Sequence, residues 1–216
     1  LRYEAPPSDS ESSWRKPLGR FALPGTYRVR LTAGNVVHEQ ELLVKQDPAL
    51  DVPRRERRER EETLALQAQL LSATYHAGKA LDSAVEQTKA LGETLEEGAS
   101  TALREEADAV ADAAGRLHVA IRGEELGTAQ QETYLPLDDL TLRLYMTTES
   151  WSGAPSPEQK RLTAQAHEDL DAVLAELRPL LAEQLPALRE RVQGAGLAWP
   201  ADELPAPLAD NLIPSL

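Results

Sequence analysis

Pro24-Gly25-Thr26-Tyr27-Arg28-Val29-Arg30-Leu31-Thr32 decides the architecture of this chain of 216 residues. Tyr27, Val29 and Leu31 alternate with Arg28, Arg30 and Thr32, placing three apolar side chains on one strand face and three polar ones on the other. Ala33-Gly34-Asn35 then offers residues that tolerate positive φ at a tight turn, and Val36 to Lys45 returns as the partner strand. Residues Leu1 to Lys45 therefore read as β, with a flexible loop over the Ser-rich, charged stretch Pro6 to Lys16. A two-stranded hairpin is marginal in water, so it needs a further packing partner: the Leu1 to Tyr3 segment, the helices, or strands upstream of Leu1.

Asp47-Pro48 closes the β part, because proline donates no ladder hydrogen bond and biases the residue before it away from helix. Beyond Pro53 the periodicity changes. Leu66, Leu70, Ala73, Ala77, Leu81, Ala84, Thr88, Leu91 and Leu95 recur every three or four residues, which predicts one helix from Arg54 to about Leu95, roughly 60 Å long. Leu103, Ala107, Val110, Ala114, Leu117 and Ile121 predict a second helix ending near Gly123 or Gly127, and Pro136 to Ser152 a third, shorter one. Asp138 and Asp139 suit the positive end of that third helix.

Ser156-Pro157-Glu158-Gln159 is a capping-box start for a long fourth helix. Pro179 and Pro186 fall inside it, so a kink or a break into two segments is expected before Gly194 and Gly196 stop it. Pro200, Pro205, Pro207 and Pro214 mark an extended tail. The fold class is mainly α with a small β part: a β-hairpin or partial sandwich over residues 1–47, then an antiparallel bundle of three or four long helices over residues 48–216.

Composition narrows the function. The net charge of -13 argues against nucleic acid, whose phosphates reward Lys and Arg. Cys is absent, which removes disulfide frameworks and thiolate metal sites. No run of 18 apolar residues predicts membrane insertion. No signal peptide is read at the start, and the first residue, Leu1, leads us to expect any export signal upstream of it. Aromatics make up 4 % of the chain, so aliphatic seams are expected rather than a deep aromatic pocket.

His38, His76, His118 and His167 are dispersed, without HExxH, and positions 73, 115 and 164 hold Ala, Gly and Ala, not the Glu of a di-iron Glu-x-x-His pair. Packing or surface roles are expected for all four. Glu96-Glu97, Asp138-Asp139 and Glu168-Asp169 could supply the two carboxylates of a glycosidase, but in so acidic a chain they read as solvated faces and helix-dipole partners. Arg54 to Glu62 carries a net charge of only +1, and the pairs Arg55/Glu59, Glu56/Arg60, Arg57/Glu61 and Arg58/Glu62 predict a solvated, self-paired helix start. Trp14, Trp151 and Trp199 stand out; Trp151 and Trp199 are expected to cover bundle ends, with a sugar-stacking platform as the sharper alternative. No catalytic, cofactor-binding or metal-binding residue is assigned, and no cofactor is expected.

Pro24 to Leu31, the return strand ending Leu43-Val44-Lys45-Gln46-Asp47-Pro48, and the block from Ala154-Pro155-Ser156-Pro157 to Leu185-Pro186-Ala187-Leu188 together resemble the C-terminal region of bacterial sortilin-like proteins with neuraminidase-type repeats, often labelled glycosyl hydrolases. Leu1-Arg2-Tyr3 is similar to the strand before the proline-glycine turn in such proteins, so the resemblance spans nearly the whole chain. The charged run Arg54 to Glu62 departs from the family pattern. The resemblance implies a small immunoglobulin-like module and a helical bundle following a β-propeller, in an exported protein, with any hydrolysis in the propeller. The expected role is scaffolding or protein interaction, with the upstream propeller, a protein partner or another copy as the partner. The alternative is a subdomain that lends a wall or a carboxylate to a glycan-cleaving site.

Overall fold

The structure is a computed structural model and describes residues 1–9, 16–95, 99–124, 135–209 and 211–213. Trp14, Glu96, Glu97, Gly98, Gly127 and Pro214 lie outside the described residues. The elements are β1 (Gly25–Ala33), β2 (Val36–Val44), α1 (Arg54–Leu95), α2 (Thr101–Arg122), α3 (Leu137–Glu149), α4 (Pro157–Pro179) and α5 (Leu185–Gly194). A π turn, Leu180–Gln184, joins α4 to α5. The protein is mainly α with a small β part, as its residue pattern predicts.

Three rods make the bundle. α1, with 42 residues, is the first. α2 and α3 run back along it in succession: Arg122 at the end of α2 reaches Asp82, and Arg60 near the start of α1 donates to the carbonyl of Glu149 at the end of α3. α4 and α5 then run in the direction of α1, since Gln67 donates to Thr163 at 2.8 Å while Trp199, beyond α5, meets Gln87. The path is up, down, up. Leu81, Ala84, Ala114, Ile121, Leu170 and Leu177, from all three rods, have no exposed surface, and the alanines among them let the helix backbones approach closely.

Local chemistry sets the ends. Ser156 Oγ accepts from Gln159 N at 3.1 Å while Gln159 Oε1 accepts from Ser156 N at 2.8 Å, the reciprocal capping expected there. Ser100 Oγ accepts from Leu103 N, and Gly123 stops α2 at a φ of 83° that favours glycine. The two prolines do not break the third rod. Pro179 and Pro186 each lack an amide donor, and the helix widens between them so that Leu185 N–H reaches back to Leu180 O. Leu180, Leu181 and Leu185 remain buried through the turn.

β1 and β2 pair antiparallel from Gly25↔Val44 to Ala33↔Val36, and Gly34 takes the turn at a φ of 61°. Leu1–Tyr3 does not cover this hairpin. It forms its own short ladder with Arg20–Ala22, through Tyr3 N–H to Arg20 O at 2.9 Å and Ala22 N–H to Leu1 O at 3.0 Å. Nor do the helices bury the sheet's apolar face: Val29 is 49 % and Leu31 64 % exposed.

Candidate functional site

The hairpin base, the Leu1–Tyr3 ladder and one end of the bundle enclose an open groove of about 660 Å³. Phe21, Pro24 and Leu50 give it apolar walls on the β side, and Trp151 closes the helical side. Trp151 is 65 % exposed, so it does not cover the bundle end as expected: the turn after α3 points its indole outward into the groove. Trp199 does cover an end. It is buried, and its Nε1–H donates to Gln87 Oε1 at 2.9 Å.

The charged start of α1 builds the groove's inner side, which corrects the reading of Arg54 to Glu62 as a self-paired, solvated run. Glu61 accepts from Arg20 at 2.7 Å, Arg60 donates to the carbonyls of Glu149 and Trp151, Arg57 donates to Val52 O at 2.7 Å, and Glu59 pairs with Lys160. Apart from Val52, in the linker just before α1, these partners lie on other segments because α3, the start of α4 and the N-terminal ladder all converge on this first stretch of α1. Tertiary packing outcompetes weak i,i+4 pairing. Arg2 adds a second stitch, pairing with Glu149 at 2.7 Å while its guanidinium lies 3.7 Å from the Phe21 ring centre.

Two groove groups carry shifted protonation. Burial pushes the Glu61 carboxyl above its usual range, against the opposing pull of Arg20 and Arg60. Burial also lowers the Arg60 guanidinium, although Glu149 and Glu61 work to hold its charge. Glu61 and Glu149 are thus the two carboxylates of the groove's helical side, and each is engaged by an arginine of the N-terminal ladder. Glu149 carries no signal in the sequence, and Glu61 stands out there only as the i,i+4 partner of Arg57.

The sequence-selected residues scatter. His38 sits exposed on β2, His76 packs edge-on to Tyr75 at 5.3 Å, His118 lies 3.1 Å from Asp82, and His167 is buried on α4. Asp138 accepts from Asp139 N–H and lies 3.4 Å from Arg122, on the side of α3 facing α2. Asp169 accepts from Gln165 on α4, and Glu168 is exposed. Among the described residues, no three His, Cys, Asp or Glu side chains group to hold a metal ion, and no helix is long and apolar enough to cross a membrane.

The second surface with functional character is the hairpin itself. Its register puts Tyr27, Val29 and Leu31 on one face with Leu42, Gln40 and His38. The opposite face carries Arg28 and Arg30, which both reach Glu39, at 3.8 and 2.6 Å. The face of Tyr27, Val29 and Leu31 is the more apolar of the two, although Gln40 and His38 interrupt it, and the charged face also carries Val37 and Leu43, both more than half exposed. Comparison of this chain with protein-family models, curated proteins and solved structures found no match.

Proposed function

We propose that this chain is a non-catalytic accessory module, a scaffold or protein-interaction piece of a larger propeller-containing protein of the sortilin-like kind. One observation carries the reading: the helical seams close on themselves, while the hairpin keeps its apolar face in water. Aliphatic residues of all three rods are buried, whereas Val29, Leu31 and Val36 on one sheet face stay about half exposed or more. A surface of that kind marks an interaction site.

A second reading, a wall of a glycan-cleaving site, draws on Trp151, Glu61 and Glu149 lining one groove. The arginine partners of both carboxylates weigh against it, since a general acid must offer its proton to a substrate oxygen. Small-angle scattering together with thermal melts in oligosaccharide panels separates the two. The interaction reading expects an elongated particle, set by a first helix of about 60 Å, and melts insensitive to glycans. A compact particle stabilised by a glycan would overturn it.

A further inference from the structure

We propose that residues 1–9 form a strap that opens and closes as one piece over α3, with Asp9 as its catch, and that its opening loosens α3 and widens the groove beside Trp151. This goes beyond the interaction reading and does not depend on which surface a partner uses. The strap is held at its two ends. At the groove, Tyr3 N–H donates to Arg20 O, and Arg2 pairs with Glu149, the last residue of α3. At the far end, Asp9 pairs with Lys79 at 2.9 Å and with Arg122 at 2.7 Å, and Arg122 also reaches Asp138 in the first turn of α3.

Between those ends the strap is stiff and loosely held. Among the described residues, no backbone hydrogen bond engages residues 4–9. Pro6 and Pro7 fix their own φ and bias Ala5 toward extended backbone, so the segment moves as a rod instead of rearranging locally. From Tyr3 to Asp9 such a rod spans about 19 Å, and Asp138 to Glu149 spans about 17 Å of helix. The match leaves little slack, so the strap splints α3 from end to end.

What lies beneath needs the splint. α3 has 13 residues and no side-chain cap at its start, a length at which a helix is marginal without tertiary support. On its outer side Tyr145 joins Leu64 and Leu71 in a small cluster apart from the main core. The N-terminal segments roof that cluster: the Tyr145 hydroxyl donates to Leu18 O at 2.6 Å, and Ser8 and Asp9 wall an open pocket of about 160 Å³ that Leu71 and Leu142 also line. The catch opens without stranding a buried charge. Arg122 keeps Asp82 and Asp138 when Asp9 leaves, and Lys79, 52 % exposed, returns to water. Opening then takes Leu1 from the groove wall and Arg2 from Glu149, just before Trp151 in the chain.

The test uses the full chain, residue-resolved amide exchange and two variants that release opposite ends. Asp9→Asn weakens the catch. Gly19→Ala lifts the other end, because a Cβ there would lie 1.7 Å from Tyr3 O. Asp9→Asn is expected to quicken exchange at the Tyr3 amide and from Leu144 to Glu149 by roughly threefold or more, with α4 amides unchanged as the measure of an intact bundle. Gly19→Ala is expected to quicken the same α3 amides, and adding Asp9→Asn to it to change them no further. Salt at about 1 M is expected to reproduce the Asp9→Asn pattern in the wild-type chain, since Asp9 and Arg2 are 33 % and 32 % exposed. Unchanged Tyr3 exchange in Asp9→Asn, α3 amides that stay slow in either variant, additive effects in the double variant, no response to salt, or a uniform quickening that includes α4 would each overturn the proposal.

Discussion

The Arg122 guanidinium rests against Gly78, where a Cβ would lie 2.6 Å from its Cζ. From that seat Arg122 reaches Asp9 at 2.7 Å, Asp82 at 2.9 Å and Asp138 at 3.4 Å, tying the N-terminal segment, α1 and α3 to the end of α2. Burial opposes its charge, but Asp82 and Asp9 hold its pKa above the ordinary value. Alanine at an open helical position gains about 1 kcal/mol over glycine. Here Gly78→Ala must displace the guanidinium, so the expected net gain is none. In an Arg122→Met background the same change is expected to recover about 1 kcal/mol. Urea melts of the four proteins measure this coupling, and additive effects would contradict the contact.

The carboxylates around Arg122 oppose each other in pH. Partial burial pushes Asp9 up, but Lys79 and Arg122 outweigh it and hold Asp9 below its ordinary 3.8, so its contribution is present at neutral pH and lost as pH falls through the depressed value. Asp138 runs the other way: burial raises it above 3.8, with the Asp139 amide and Arg122 offsetting only part. Between 3.8 and its raised folded value the native state holds the Asp138 proton more tightly than the unfolded chain, so this residue makes stability rise as pH falls. Asp138→Asn is expected to remove that rise from the wild-type-minus-variant difference. A difference independent of pH in that window would refute the assignment.

Core and hairpin leucines should respond differently. Leu177 is fully buried between the rods, and Leu177→Ala is expected to cost roughly 2 to 5 kcal/mol. Leu31 is 64 % exposed, and Leu31→Ala in the isolated chain is expected to change stability by less than about 0.5 kcal/mol. Denaturant melts followed by helical circular dichroism compare them. Similar losses would mean that the hairpin is part of the bundle's cooperative core.

A buried aromatic contact helps to anchor the tail, beside Leu204 and Leu208 packed on the core. Trp199→Phe keeps an aromatic ring, a smaller one, but deletes the donor to Gln87 Oε1, at an expected cost of about 1 to 3 kcal/mol. Gln87 also donates to Glu203 O at 3.0 Å, so exchange at residues 200–204 is expected to quicken in the variant. Unchanged exchange there would show that the tail is anchored elsewhere.

Much of the fold was legible because it is local or periodic. The spacing of Leu66 to Leu95 predicts α1, Ser156 and Gln159 predict the start of α4, and the alternation around Val29 predicts β1. The π turn was not legible. Pro179 and Pro186 predict lost hydrogen bonds, but whether a helix kinks or widens depends on how neighbours hold Leu180 and Leu185 in the core. The groove was hidden for a related reason. Arg60 and Glu61 have helix neighbours of opposite charge in sequence, and only the convergence of Arg20, Glu149 and Trp151 in space redirects them.

Residue-resolved hydrogen exchange on the isolated, monomeric chain tests most directly whether the bundle satisfies itself and leaves the sheet for a partner. The account predicts two tiers: core amides of α1 and α4 exchanging only through global unfolding, and β1 and β2 amides exchanging orders of magnitude faster. Hairpin amides as slow as those of α1 would contradict it, because the apolar sheet face would then be satisfied within the chain itself.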